Sequence, residues 1–377
     1  MKDLVFSILM GMKSVFFLFS HPAPYKVNLF NGLSQHVDLT VFFERTLGRY
    51  QRMQYMDPNR YQFKHRFLKG FPLGKENHVS LEVIAHLKTH PYDYVVMNGY
   101  SSLTEIITIL YLQRHRIPYY IYVNGGMIRK ESFLKFQLKK RLISKAIGFF
   151  SPTKFIDDYL VYYGATIDKI VHYPYSTVFD NERLTQPLSP QDKLSLRRVI
   201  GLPLEGKIFM AIGEFIPRKN FSTLIQAWRS VPSSMHLMLI GEGKQEGHYR
   251  KLIKRYQLKN IHLTSFQPKN LILSYLRSSD GFILLSKEDI YGHVVNEALS
   301  QGIPVLASEN VIAAKVLIQS GVNGYLLSLL DIHRLPKLLH QLLLIQPSIA
   351  SQRIAKSQTI EAMVQAHVDF FLGPLHG

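Results

Sequence analysis

A chain of 377 residues is long enough for two domains of ordinary size, and 46% hydrophobic residues excludes a disordered polymer. The chain has no cysteine, which excludes disulfides and thiolate metal sites and is typical of a reducing compartment. The net charge of +18 leans toward the N-terminal half, and we expect it to face an anionic partner: nucleic acid, acidic lipid or a phosphorylated substrate.

The first residues have the pattern of a short signal peptide, because Lys2 precedes an apolar run. Lys13 interrupts that run, and neither apolar piece approaches the roughly 20 residues that a membrane span requires. We therefore expect Ser14–Phe19 to be the first buried strand. The residues before Met12 are expected to form a short leader outside the fold.

The first half alternates between strand and helix patterns, which is typical of a Rossmann-like domain. The expected elements are strands at 14–19, 37–43, 94–97 and 119–123, with a helix at 27–33. The loop after the first strand lacks the GxGxxG pattern, so dinucleotide binding is not expected there. The last two strands end in the glycine turns Asn98-Gly99 and Asn124-Gly125-Gly126, which should lie on the carboxyl edge of the sheet.

Two clusters combine basic and apolar residues. The first, 60–71, interleaves bases with aromatics. The second starts at Arg129 and continues through an expected helix at 133–147. That helix carries Lys135, Lys139, Lys140, Arg141 and Lys145, with Phe133, Leu134, Leu138, Leu142 and Ile147 as its other face. A basic amphipathic helix suits an anionic membrane surface, and the alternative is a solvated helix that packs on the sheet. No nucleic-acid-binding motif is present, so nucleic acid is not expected as a partner.

The polar, proline-ended stretch 177–190 predicts an interdomain linker. A second Rossmann-like series follows, with strands at 208–213, 236–240, 261–266, 282–285 and 303–307 and helices at 222–230 and 249–256. A last helix is expected at 360–372. The predicted domains are residues 1–178, with 358–377 crossing back onto them, and residues 179–357.

The segment 281–308 predicts one strand–loop–helix–strand unit of a parallel sheet, with its helix beginning at Tyr291 and ending at Gly302. Such units bind ligands beyond the carboxyl ends of the strands, where the helix N-terminus attracts phosphate. Asp289 and Glu297 are carboxylates that suit hydroxyl groups, so the pattern favours a sugar attached to a phosphate. The alternative is that Asp289 only caps the helix and Glu297 is solvated.

The run Asp289-Ile290-Tyr291-Gly292-x4-Glu297 resembles the E-x7-E signature of the retaining glycosyltransferases of family 4 (group 1), with Asp289 in place of the first glutamate. Residues 213–220 are similar to the family's G-R-x4-K-G segment, which holds the donor diphosphate. There Lys219 matches the family lysine, Glu214 stands at the arginine position, and Arg218 is expected to supply the missing charge.

Residues 320–326 also resemble the family's D-G-x-N-G-x-L turn, with Ser320 in place of aspartate. Lys315 stands where family members often have glutamate.

The resemblance implies an α/β GT-B fold, in which two Rossmann-like domains face across a cleft. It implies an N-terminal acceptor domain and a C-terminal donor domain. It further implies retaining transfer from a nucleotide-diphosphate sugar, most simply a UDP-sugar, without metal or other cofactor. The residues that it assigns to catalysis are Asp289, Arg218, Lys219 and Asn124. Those that it assigns to substrate binding are Glu297, Gly213, Ile290, Tyr291, Gly292, His293 and Val294.

The run 124–126 with 130–133 looks like the capsular and exopolysaccharide members of the family. The expected acceptor is therefore a saccharide, in particular a lipid-diphosphate-linked one, in bacterial surface polysaccharide synthesis. The expected location is the cytoplasm, at the inner face of the cell membrane. Two other functions stay open: a GT-B nucleotide-sugar epimerase and a non-catalytic nucleic-acid-binding protein.

Overall fold

The computed structural model describes residues 11–46, 60–73, 77–345 and 354–373. The leader expected before Met12 falls almost entirely on residues 1–10, outside the described residues. The chain divides into two compact units: unit 1 runs to Tyr175 and resumes at Ile360, and unit 2 runs from Ser176 to Thr359. We describe each unit separately.

The unit boundaries differ slightly from residues 178 and 357, where the sequence placed them. Ser176 Oγ donates to the backbone oxygen of Gln358 (2.8 Å), and Thr177 Oγ1 donates to Glu297 Oε1 (2.7 Å). The expected linker 177–190 is likewise fixed to unit 2, since Lys269 pairs with Glu182. These bonds anchor the start of the polar stretch to the rest of unit 2.

Unit 1 is built on a parallel sheet of seven strands in the order β3-β2-β1-β6-β7-β8-β9. The strands are β1 (Ser14–Phe19), β2 (Asp38–Phe43), β3 (Lys64–Phe67), β6 (Tyr94–Met97), β7 (Tyr120–Tyr122), β8 (Gly148–Ser151) and β9 (Ile170–His172), while β4 (Phe71–Leu73) and β5 (Asn77–Val79) form a separate antiparallel pair. The central strands β1 and β2 are almost wholly buried runs of apolar and aromatic residues, as a sheet covered on both faces requires.

The helices before the domain boundary are α1 (Pro24–Leu33), α2 (Glu82–Thr89), α3 (Leu103–Arg114), α4 (Phe133–Ser144) and α5 (Lys154–Tyr162). The prediction for α4 was wrong in two respects. The helix ends at Ser144, and of its expected apolar face only Leu142 is buried, whereas Phe133, Leu134, Leu138 and Ile147 are exposed. The helix packs instead through Phe136, Leu142 and Ile143, a stripe rotated away from the expected one.

Unit 2 is built on a parallel sheet of six strands in the order β12-β11-β10-β13-β14-β15, the arrangement of a Rossmann fold. Its strands are β10 (Lys207–Ile212), β11 (Met235–Ile240), β12 (Ile261–Thr264), β13 (Gly281–Leu284), β14 (Val305–Ser308) and β15 (Gly324–Leu327). Its helices are α6 (Pro190–Val199), α7 (Phe221–Ala227), α8 (Glu246–Arg255), α9 (Lys269–Ser278), α10 (His293–Ser300), α11 (Ile312–Leu317) and α12 (Leu335–Leu343). The strand order reverses between β10 and β13, so the loops that follow these two strands lie side by side.

The C-terminal helix α13 (Ile360–Leu372) belongs to unit 1 and packs on α1. Gly32 of α1 allows this close approach, because a Cβ there would lie 2.6 Å from Val364 Cγ2. Phe371 contacts the rings of Phe17 and Tyr94 on the sheet. Among the residues described, none of the helices has the length and hydropathy needed to cross a bilayer.

Candidate functional site

Two loops meet where the strand order of unit 2 reverses. The loop after β10 and the loop after β13 are joined by hydrogen bonds of both backbone and side-chain groups. Asn220 Nδ2 donates to the backbone oxygen of Leu285 (3.0 Å), and the backbone N–H of Lys287 donates to the oxygen of Arg218 (2.9 Å). These bonds fix the two segments that carry most of the predicted site residues.

The side chains of Arg218 and Lys219 converge on Asp289. Lys219 Nζ lies 2.5 Å from Asp289 Oδ2, and Arg218 Nη1 lies 3.4 Å from Asp289 Oδ1. Arg218 Nη1 also donates to the backbone oxygen of Glu288 (2.8 Å). The carboxylate is buried, with the residue 8% exposed. The structure thus brings together three of the four residues assigned to catalysis, with two cations on one anion.

Gly213 leaves room for the lysine to reach this position. A Cβ at Gly213 would lie 3.2 Å from Lys219 Cε, tighter than ordinary van der Waals contact. The aliphatic stem of Lys219 therefore passes over the backbone of Gly213 on its way to Asp289. This packing role comes in addition to the substrate-binding role that the sequence assigned to Gly213.

Glu214, which stands at the family's arginine position, takes no part in the ion cluster. Its side chain is half-buried and forms no ion pair with any residue that the structure describes. Arg218 is the residue that supplies the second positive charge next to Lys219.

The helix of the segment 281–308, α10, begins at His293, so the predicted start at Tyr291 was wrong. Gly292 has a φ of 95°, a left-handed conformation that cannot continue a helix backward, and a Cβ there would lie 2.7 Å from Val311 Cγ1. Tyr291 is buried, and burial raises the pKa of its hydroxyl. Its neighbour Ile290 is 57% exposed.

The N-terminus of α10 carries no capping side chain and no acidic residue in its first turn. The first N–H groups of a helix have no partner within the helix, and the helix dipole favours an anion in front of them. Asp289 Cγ lies 3.8 Å from the position of a Cβ on Gly292. The cluster of Lys219, Arg218 and Asp289 is therefore next to the start of α10, where His293 and Val294 are half-buried.

Glu297 lies one helical turn beyond His293, on the same side of α10. Its Oε1 accepts the hydrogen bond from Thr177, while no described residue donates to Oε2. Burial raises the pKa of this carboxyl, and the Thr177 hydroxyl partly offsets that effect. A carboxylate with one open oxygen can accept a hydrogen bond from a ligand hydroxyl.

Asn124 lies in unit 1, at the carboxyl end of β7. Its Nδ2 donates to Asn98 Oδ1 (3.1 Å), and its Oδ1 accepts from the hydroxyl of Tyr173 (3.1 Å). The two glycine turns predicted at the carboxyl edge of this sheet are thereby joined. Because both ends of the Asn124 amide have partners, its orientation is fixed.

The sequence analysis did not predict a pair of carboxyl groups that lies at the same edge of the unit 1 sheet. Glu44 follows β2, Glu105 lies in the first turn of α3, and Ser102 Oγ donates to Glu44 Oε1 (2.5 Å). Burial, with Glu44 close by, raises the pKa of Glu105 to about 8, and burial also raises the pKa of Glu44. For Glu105 the signal was present as Ser102-x-x-Glu105 in the segment after β6, the pattern of a capping box.

No group of three or more histidine and acidic side chains with metal-binding geometry occurs within 11–46, 60–73, 77–345 and 354–373. Lys219 and Arg218, each ion-paired with Asp289, supply positive charge at this site.

Residues 192–359 match the family described as Glycosyl transferases group 1. The chain is similar to the lipopolysaccharide core biosynthesis glycosyltransferase LpsE of Rhizobium meliloti, with 24% identity over 39% of this chain and 42% of the relative. It is also similar to an uncharacterized glycosyltransferase of Haemophilus influenzae, with 27% identity over 45% of this chain and 47% of the relative. These matches span under half the length of either relative.

The fold is similar to that of HepE from Anabaena. A crystal structure of HepE with UDP superimposes with a TM-score of 0.76 and 18% identity, and covers 96% of this chain and 100% of HepE. The HepE complex with UDP and glucose gives a TM-score of 0.72 at 17% identity and the same coverage. The chain therefore has the GT-B fold of two Rossmann-like domains, and its residues 192–359, under half of the chain, are similar to the Glycosyl transferases group 1 family.

Proposed function

We propose that the protein is a retaining glycosyltransferase that moves a sugar from a UDP-sugar to a saccharide acceptor in bacterial surface polysaccharide synthesis. One observation carries this proposal. The ion cluster of Lys219, Arg218 and Asp289 lies at the uncapped start of α10, and Glu297 lies one turn further along the same helix.

The arrangement suits the departure of a diphosphate. When the bond between the anomeric carbon and the diphosphate oxygen breaks, negative charge grows on the phosphates. Lys219 and Arg218 carry two positive charges against the single negative charge of Asp289, which leaves one net positive charge. The first N–H groups of α10 add their partial positive charge at the same place. No metal is required for this stabilisation.

The two carboxylates accept hydrogen bonds from hydroxyl groups of the donor. Asp289 accepts a hydrogen bond from a hydroxyl of the donor sugar, next to the diphosphate. Glu297 accepts hydrogen bonds from the ribose hydroxyls through Oε2, the oxygen to which Thr177 does not donate. His293 and Val294 border the phosphates, and Ile290 and Tyr291 border the sugar. Retention of the anomeric configuration follows from the family resemblance of this motif.

The similar proteins support both the donor and the pathway. The HepE crystals contain UDP and glucose. LpsE is named for lipopolysaccharide core biosynthesis, and AmsD of Erwinia amylovora is named for amylovoran biosynthesis. We assign the acceptor to unit 1, where Asn124 orients an acceptor or sugar hydroxyl. The acceptor is a saccharide, in particular one linked to a lipid diphosphate.

The surface of α4 supports location at the inner face of the membrane. Phe133 and Leu134 are 73% and 80% exposed, and Arg129, Lys130 and Lys140 lie in or next to the same helix. Exposed apolar side chains together with basic ones bind anionic bilayers through burial and charge. We propose that α4 holds the enzyme at the membrane as a peripheral protein.

Donor binding is tested by thermal unfolding with UDP in the presence of EDTA. The wild-type protein should unfold at a higher temperature as UDP is added, since a ligand that binds only the folded state stabilises it. Lys219→Met should abolish this shift, while Lys287→Met, which removes an exposed lysine from the same region, should retain it. Equal shifts for Lys219→Met and Lys287→Met would refute the site.

Transfer itself is tested with a UDP-sugar and a lipid-linked saccharide. Product with the anomeric configuration of the donor is the expected result. Formation of an epimer of the donor when no acceptor is present would instead identify an epimerase.

A further inference from the structure

A cavity of about 740 Å³ opens at the amino edge of the unit 1 sheet. Its walls are the C-terminal ends of α3 and α4 and the segments that lead into β7 and β8. Asn98 and Asn124 lie at the carboxyl ends of parallel strands in this sheet, so the cavity is on the opposite side of unit 1 from them. It is a different place from the one assigned to the acceptor.

Four cationic side chains line the cavity, namely Arg114, Arg116, Arg141 and Lys145. Among the residues that the structure describes, no carboxylate lines it. None of the four forms an ion pair with another side chain in the described part of the chain. A cation in the last turn of a helix complements the helix dipole, which accounts for Arg114 and Arg141. Arg116 and Lys145 lie past the ends of their helices. The four charges therefore converge on a shared space that favours an anion.

Arg116 is held in an unfavourable backbone conformation. Its φ is 56°, the left-handed region in which the residue after a helix is usually glycine. Glycine at this position would keep the backbone conformation and remove only the side chain, so the role of the Arg116 side chain can be tested separately from the fold.

Hydrogen bonds between protein groups hold the walls of the cavity together. Gln113 Nε2 donates to the hydroxyl of Tyr119 (2.8 Å) and to the backbone oxygen of Arg141 (3.2 Å). The hydroxyl of Tyr119 in turn donates to the backbone oxygen of Leu142 (2.7 Å). These bonds tie the end of α3 to the end of α4 and hold the basic side chains around one space.

The remaining walls are apolar, formed by Leu110, Leu112, Ile117, Pro118 and Ile147. An apolar stripe on α4 also leads toward the cavity. Leu134 and Leu138 are exposed on α4. Residues three or four apart lie on the same face of a helix, so Leu134, Leu138, Arg141 and Lys145 share one face. A ligand that fits this surface combines a phosphate with an apolar body.

We propose that this cavity binds the phosphate head group of an anionic membrane lipid. The phosphate ester lies among Arg114, Arg116, Arg141 and Lys145, and the glycerol and first methylene groups contact the apolar walls and the stripe of α4. Arginine suits this task, because its planar guanidinium group pairs with two phosphate oxygens at once. The site is a discrete one on unit 1 and does not depend on the glycosyl transfer reaction.

The test uses full-length protein and dihexanoyl phosphatidylglycerol below its critical micelle concentration, titrated by calorimetry. This probe contains no membrane, so the result is independent of the general affinity of α4 for bilayers. Saturable binding of one lipid per chain is expected. Dihexanoyl phosphatidylcholine and inorganic phosphate should each bind at least about tenfold more weakly, because the first is zwitterionic and the second lacks the apolar part.

Arg116→Gly removes the side chain and relieves the left-handed conformation, so the unfolding temperature should stay the same or rise. Binding of phosphatidylglycerol should weaken about tenfold, as expected for a lost charge-assisted hydrogen bond. Gln257→Gly is the matched control, because Gln257 has a φ of 52° after α8 and lies outside the cavity. Lys135→Gln with Lys140→Gln controls for diffuse charge on α4. Both controls should bind as the wild type does.

Four results would overturn the proposal. They are absence of saturable binding by the wild type, equal affinity for phosphatidylcholine, inorganic phosphate binding as tightly as the lipid, and unchanged affinity in Arg116→Gly. None of them bears on UDP binding, so the failure of this site and the failure of the proposed transferase function are distinguishable.

Discussion

Lys219 Nζ lies 2.5 Å from Asp289 Oδ2, so the side chain assigned to the donor diphosphate is ion-paired with the one assigned to the donor sugar. Asp289 is buried, and Arg218 is its second partner at 3.4 Å. If the donor diphosphate binds these two cations as proposed, it has to share them with the carboxylate. We therefore expect Asp289 to lower the affinity for the nucleotide while it positions the sugar.

Asp289→Asn should separate these two effects. Asparagine keeps the shape of the side chain but removes the negative charge that competes for Lys219 and Arg218. UDP should bind about three- to tenfold more tightly, which corresponds to about 0.7–1.4 kcal/mol. The transfer rate should fall, because the hydroxyl of the donor sugar loses its charged acceptor. Calorimetry with UDP and a steady-state assay measure the two quantities. UDP affinity that falls together with the rate would show that Asp289 does not compete for the cations.

Glu297→Gln should weaken recognition of the ribose. A hydrogen bond to a charged group contributes about 1.5–3 kcal/mol, so UDP affinity should fall about tenfold or more. The wild type should discriminate against 2′,3′-dideoxy-UDP, and the variant should bind both nucleotides with similar affinity. If the variant discriminates as strongly as the wild type does, the ribose does not contact Glu297.

Most of the unit 2 site could be predicted from the sequence, because it follows from strand order. Alternation of strands and helices places the loops after β10 and β13 together, and these loops contain Lys219 and Asp289. The start of α10 could not be placed, since Tyr291 fits the apolar pattern of the helix. Val311, which is distant in the chain, lies so close to Gly292 that a Cβ has no room there, and this contact appears only in the folded structure. The ion pairs of Asp289 likewise appear only once the loops are packed.

Leu134→Ser should weaken binding to vesicles that contain phosphatidylglycerol without changing the unfolding temperature. The side chain is 80% exposed, so its removal costs the fold little, whereas burying a leucine in a bilayer contributes about 1.5–3 kcal/mol. Co-sedimentation should show about a tenfold loss, and salt should weaken binding of both proteins. Leu330→Ser is the control, since Leu330 is 91% exposed in unit 2. Equal losses in the two variants, or no loss in either, would argue against α4 as the membrane contact.

The amphipathic pattern of α4 explains why its prediction was only partly right. Residue spacing alone does not distinguish an apolar face that packs on the sheet from one that is exposed, because both have the same spacing. The folded structure shows which face packs: Phe136, Leu142 and Ile143 reach the core of unit 1, whereas Phe133 and Leu134 are exposed.

Glu105→Gln should flatten the pH dependence of stability. In the folded protein the pKa of Glu105 is raised from 4.5 to about 8, so the folded state holds a proton that the unfolded chain releases. The stability of the wild type should therefore fall relative to the variant as the pH rises from about 4.5 to 8, and the difference should level off above 8. Each pKa unit between the two states contributes about 1.4 kcal/mol.

Glutamine keeps the oxygen that accepts the N–H groups of Ser101 and Ser102, so the start of α3 should be retained. Urea unfolding at pH 5 and pH 8 measures the change. A wild-type-to-variant difference that is the same at both pH values would contradict the raised pKa of Glu105.

A crystal structure of the protein with UDP tests the central proposal most directly. We predict that the diphosphate lies within hydrogen-bond distance of Lys219 Nζ and of the first N–H groups of α10, with the ribose hydroxyls on Glu297. UDP bound elsewhere, with Lys219 still paired only to Asp289 and with Glu297 bonded only to Thr177, would contradict it.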